Sequence, residues 1–146
     1  MFKVIYLICI IISFPIFSQN LNYIKTCIKD HCFDARIADN PVSRTKGLMG
    51  EMRLPNKEGM LFIFPEETTP SFWMKNTLIP LDILFINDND LVVYMVKNAQ
   101  PCKTDDCPVY TTTRKASKVL EINGGMSKKL GLHVGDSVVY FIENES

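Results

Sequence analysis

Leu81-Asp82-Ile83-Leu84-Phe85-Ile86, then Asn87-Asp88-Asn89-Asp90, then Leu91-Val92-Val93-Tyr94-Met95-Val96 is the stretch on which the fold turns. Both flanks are rich in β-branched and aromatic residues, which suit a pleated, half-buried surface. The four residues between them are Asn and Asp only, side chains that tolerate left-handed backbone. The pattern predicts a β-hairpin over 81–87 and 91–97.

Working outward, residues 59–64 are a short apolar run ending at Pro65, as in a strand covered on both faces. Residues 71–75, 117–122 and 138–142 are further strand candidates, and 32–38 alternate apolar and polar as a half-buried strand does. Asn40-Pro41 reads as the N-cap and first position of a helix running to about Met49 and stopping at Gly50. Residues 124–130 form a second short helix, with Lys128-Lys129 near its negative end and Gly131 as its stop. Residues 99–113 read as a loop. About seven short strands and two short helices predict a mainly β domain, a sandwich or barrel with helical insertions.

The chain has 146 residues, enough for one domain that buries a real core. Its 16 basic residues balance its 16 acidic ones, so it has no net field for nucleic acid or an anionic membrane. The start differs from the rest. Lys3 supplies a charge, Val4 to Phe17 is almost wholly apolar, and Ser18-Gln19-Asn20 follows. This is the layout of a signal peptide, cut after Ser18; the run is short for a membrane span, although retention would leave an anchor. The expected organisation is a signal segment at 1–18, an extension at 19–31 carrying the first cysteine pair, and one β-rich domain at 32–142. Such a protein is exported, periplasmic or secreted.

Beyond the leader lie Cys27, Cys32, Cys102 and Cys107. An even set in an oxidising compartment predicts two disulfides, with three connectivities open. The identical spacing of the two pairs favours local pairing. The same sulfurs, with His31, would also make a zinc set, though the spacing is at the edge of the usual range. Neither pair is the C-x-x-C of redox exchange. Met60 and Met74 lie inside apolar strands and read as core rather than copper ligands.

Arg44-Thr45-Lys46-Gly47-Leu48-Met49, Gly59-Met60-Leu61-Phe62 and Phe72-Trp73-Met74-Lys75-Asn76-Thr77-Leu78-Ile79-Pro80-Leu81-Asp82 carry a family resemblance. Asn98-Ala99-Gln100-Pro101-Cys102, Cys107-Pro108-Val109-Tyr110 and Val119-Leu120-Glu121-Ile122-Asn123-Gly124 follow in the same order. The chain resembles the domain of unknown function family 192 over about residues 32–142. The resemblance implies an exported bacterial or archaeal protein with a compact, jelly-roll-like β fold, and attaches no reaction.

Arg44, Trp73, Lys75, Asn76, Asp82 and Glu121 are the candidate ligand-binding residues. A Trp beside a cation is a floor for a ligand, Asn76 adds donors and an acceptor, and Arg44 can grip a carboxylate. The bland alternative is that Arg44, Lys75, Asp82 and Glu121 form two structural ion pairs. The expected function is non-catalytic binding of a small polar or carbohydrate-like ligand, or of a partner protein, by a monomer without cofactor or metal. The alternative is a glycosidase-like hydrolase with Asp82 and Glu121 as acid and base, which needs both carboxyls in one cleft.

Overall fold

A computed structural model describes residues 23–141. The elements are β1 (Tyr23–Ile28), β2 (His31–Ala38), α1 (Pro41–Lys46), β3 (Glu58–Thr68), β4 (Ser71–Trp73) and β5 (Leu81–Ile86). They continue with β6 (Val92–Ala99), β7 (Val109–Thr111), β8 (Ala116–Asn123), α2 (Met126–Lys129) and β9 (Val138–Phe141). Seven strands make one sheet in the order β6-β5-β8-β3-β2-β1-β9, and β4 pairs with β7 in a separate ribbon. The mainly β expectation with two short helices holds, in the form of a curled, seven-stranded half-barrel.

The hairpin forms as read. β5 and β6 pair antiparallel, and the Asn87 side chain accepts from the amides of Asn89 and Leu91. Asp90 takes the left-handed backbone that the Asn/Asp turn allows, at φ 56°. β8 then adds to the other side of β5, with Ile83 opposite Glu121 and Asp82 opposite Ile122.

Several boundaries differ from the sequence reading. α1 stops at Gly47, not Gly50, because Gly47 already leaves helical backbone at φ 47° and lies against the Phe62 ring. β3 runs through Pro65 to Thr68, and its pairing with β8 shifts register between Ile63 and Thr68, where proline cannot donate. The loop over 99–113 contains β7. The N-terminal boundary also moves. β1 lies inside the supposed 19–31 extension, yet it is integral to the sheet, between β2 and β9. The signal segment at 1–18 lies outside the described residues.

Strand parity divides the interior in two. Met60 and Phe62 of β3, Leu81, Ile83 and Phe85 of β5, and Val119 of β8 pack on one face with Leu48, Leu54 and Met74. Leu61, Leu84, Ile86, Leu120 and Ile122 pack on the other with Ile28, Phe33, Leu132 and Val138. Successive side chains of a strand point to opposite faces, so β3, β5 and β8 are apolar on both. Met60 and Met74 are core, as read from the sequence.

Candidate functional site

α1 lies over the first face, and the β4–β7 ribbon stands beside it. Asn40 and Ser43 close a capping box at the start of α1, with Pro41 in its first turn. That fixes the helix so that Arg44 reaches back over β3. The Arg44 Nη1 donates to the carbonyls of Asp39 (2.7 Å) and Ile63 (3.0 Å), and the guanidinium lies 5.2 Å from the Phe64 ring centre. The ring of Phe72, on β4, meets Phe62, Phe64 and Phe85 edge-on. Trp73, one residue on, is 46% exposed, with the Lys75 ammonium 5.6 Å from its ring.

Between α1 and β4 lies a pocket of about 400 Å³, within the size range of small-molecule sites. Arg44, Lys46, Leu48 and Met49 line its helix side, and Phe62 and Phe64 its floor. Ser71, Phe72 and Trp73 line the far wall, and Thr77 and Glu121 complete it. Glu121 is 4% exposed, and its carboxyl has no hydrogen bond or ion pair to any described residue. Burial alone lifts its carboxyl from an ordinary 4.5 to about 8. At neutral pH it is therefore an uncharged acid facing the pocket, able to donate or accept.

The structure brings Arg44, Trp73 and Glu121 to this pocket and leaves the other three candidates elsewhere. Asp82 is fully buried on the opposite face. Its Oδ1 accepts from the amides of Asn98 (2.7 Å) and Gly125 (2.9 Å), and its Oδ2 from Ser127 (2.7 Å). It is the clamp that ties the start of α2 and the end of β6 to β5. Lys75 pairs with exposed Asp105 at 2.9 Å. Asn76 occupies left-handed backbone at φ 57°, its amide donating to Cys102 and its carbonyl accepting from Gly50.

Two sequence expectations are corrected here. Arg44 and Lys75 do not form ion pairs with Asp82 or Glu121: Arg44 holds backbone carbonyls, and Lys75 holds Asp105. Nor do Asp82 and Glu121 share a cleft. Ile83, not Asp82, is the register partner of Glu121, so parity sends the two carboxyls to opposite faces of the sheet. An acid–base pair cannot act on one bond from there. Phe62, Phe64, Phe72 and Thr77 also line the pocket but were not singled out from the sequence. The alternation of phenylalanines at 62 and 64 was the available signal.

Both disulfides are local. Cys27–Cys32 joins β1 to β2, and Cys102–Cys107 closes the loop before β7. The four sulfurs are thus bonded to one another, and the thiolate zinc alternative loses its ligands. Cys102 also pairs with the 74–76 segment through its backbone, so the second bridge braces the chain that follows Trp73. Two such bridges suggest an oxidising, extracytoplasmic setting. No helix of the described residues is long and apolar enough to cross a membrane.

Comparison with known proteins places the fold in company. The chain is similar to a crystallised protein of unknown function from Novosphingobium aromaticivorans DSM 12444. The two are 34% identical over 80% of this chain and 83% of that one, with a TM-score of 0.73. It is also similar to a Sinorhizobium meliloti 1021 protein provisionally described as a transcription regulator. Those two are 30% identical over 81% of this chain and 92% of that one, again with a TM-score of 0.73. No curated protein matches the chain. The family model DUF192, described as an uncharacterized ACR, matches residues 24–140. Spanning β1 to the body of β9, that match covers the whole sheet, and the chain belongs to the DUF192 family.

Proposed function

We propose that the chain is an exported, monomeric binding module whose ligand is a small polar molecule with an apolar face, held without chemistry in the pocket between α1 and β4. One observation carries this reading. A pocket of about 400 Å³ gathers a fixed guanidinium, an exposed indole, a phenylalanine floor and a buried carboxyl without a protein partner. Apolar walls with a few convergent polar groups are the usual form of a small-molecule site. The apolar leader at 1–18 and the two disulfides support work outside the cytoplasm. The regulator description of the Sinorhizobium meliloti protein is not adopted for this chain, whose 16 basic and 16 acidic residues cancel.

Trp73 is the chain's one tryptophan, so its fluorescence reports on this pocket alone. Native mass spectrometry of the protein from its own host is expected to show a retained small molecule. Adding that molecule to the stripped protein is expected to shift Trp73 emission. A protein that carries nothing, and whose emission no sugar, amino acid or organic acid alters, refutes the proposal.

A further inference from the structure

The pocket has two poles of opposite character. At one end Glu121 offers a carboxyl that is 96% buried and without a partner among the described residues. A buried polar group left unpaired calls for an explanation, and a ligand group is one. Phe62, Phe72 and Trp73 stand around the same space, and aromatic rings attract cations. At the other end the Arg44 Nη1 is held by two carbonyls, while its remaining N–H donors have no described partner. Lys46, also on α1, adds a second positive charge to the lining.

Both poles are anchored along β3. Arg44 is anchored at Ile63, whereas Glu121 lies opposite Met60 on the same strand. Three strand residues span about 10 Å. A short amino acid with a hydrogen bond of about 2.9 Å at each end is of the same order of length. A simple anion would leave Glu121 unpaired, and a simple cation would meet Arg44 and Lys46. We propose that the ligand is a small zwitterion, its ammonium on Glu121, its carboxylate on Arg44 and its apolar body against Phe62, Phe72 and Trp73. This rests on the binding reading above and names the class of its ligand.

Binding has a proton balance. Glu121 is protonated at neutral pH, and an adjacent ammonium favours its ionised form. The Glu121 proton therefore passes to the buffer, while the ligand ammonium keeps its own. The other charges near Glu121 on this face are few. α1 brings Arg44 and Lys46, and Arg36 of β2 lies beyond Met60, ion-paired to Glu51 at 2.8 Å. Glu58 lies further along β3, beside Asp34, and β5 offers only Leu81, Ile83 and Phe85 to this face.

The test titrates the full disulfide-bonded protein with the common α-amino acids and short ω-amino acids, read by Trp73 fluorescence and calorimetry. Each hit is paired with its deaminated acid and its decarboxylated amine. The expected result is at least one zwitterion that binds about tenfold or more tightly than either counterpart, with affinity rising by up to about tenfold per pH unit below about pH 8. Proton release, seen as a buffer-dependent heat, should accompany it. Glu121→Gln should abolish the proton release and the preference for the amine while still binding the deaminated acid, which shows the pocket intact. Arg44→Ala should instead remove the preference for the carboxylate. If the deaminated acid equals the zwitterion, or if glucose or N-acetylglucosamine shifts Trp73 emission while no amino acid does, the zwitterion assignment falls and the binding module stands. Silence from every probe overturns both.

Discussion

Replacing Glu121 with Gln should change how stability depends on pH, by an amount the structure supplies. In the folded protein burial raises the carboxyl to about 8; in the unfolded chain it returns to about 4.5. Between these values the unfolded chain has released its proton and the folded chain has not. The folded state then binds more protons, so stability falls as pH rises. Below about pH 4.5 both states are protonated and residue 121 adds no penalty. Above about pH 8 both are ionised and the full penalty is present. At 1.36 kcal/mol per pH unit, a gap of about 3.5 pH units amounts to about 5 kcal/mol. Gln keeps the shape of the neutral acid and cannot ionise. The two proteins should therefore be nearly equal near pH 4 and diverge to about 4–5 kcal/mol in favour of Gln near pH 9. The assay is urea unfolding of both proteins, disulfides intact, at a series of pH values. Their difference cancels every other titrating group. Parallel pH profiles would refute the claim that Glu121 is held as a buried neutral acid.

Asp82→Ala removes an acceptor from three backbone amides at once. It should cost about 3–5 kcal/mol in urea unfolding and speed amide exchange at Gly125 and Ser127, with no change in the Trp73 signal. Adding a Cβ at Gly59 puts it 2.7 Å from the Glu121 carbonyl oxygen. Gly59→Ala should cost at least about 1–3 kcal/mol and lower the thermal midpoint. Asn76→Gly should leave stability within about 0.5 kcal/mol of the parent, whereas Asn76→Val should lose 1 kcal/mol or more, roughly the strain of a branched residue at positive φ. Replacing Cys102 and Cys107 by Ser opens a short loop and should cost about 2 kcal/mol. Amide exchange should then rise at Asn76, whose N–H donates to Cys102.

Where the signal was local, the sequence was legible. The 81–96 hairpin was readable because apolar alternation and an Asn/Asp turn are neighbours in the chain. The Asn40-Pro41 helix start was readable for the same reason, and the capping box confirms it. The end of that helix was misread. Gly47 and Gly50 are both at positive φ, and contact with the Phe62 ring from β3 accompanies the earlier stop. β1 was misread as an extension; one of its two partners, β9, comes from the far end of the described chain and leaves no local signal. Residues two apart on an extended chain share a side, and Trp73 and Lys75 do meet. Of the six candidate residues, Arg44, Trp73 and Glu121 line one pocket, and Lys75, Asn76 and Asp82 do not.

The amino-acid sequence by itself determined the strand-rich architecture, the family, the two short helices and the cysteine spacing that local pairing fits. Each follows from residues close in the chain, through period-two patterning, caps, turns or spacing. Tertiary structure alone decided what the two buried acids do. Register across β5 and β8 sends Asp82 to a clamp of three amides and Glu121 to the pocket. The physical reason is desolvation. Whether a carboxyl is charged depends on what covers it, and for Glu121 that cover comes from β3, α1 and β4, elements far from it in the chain.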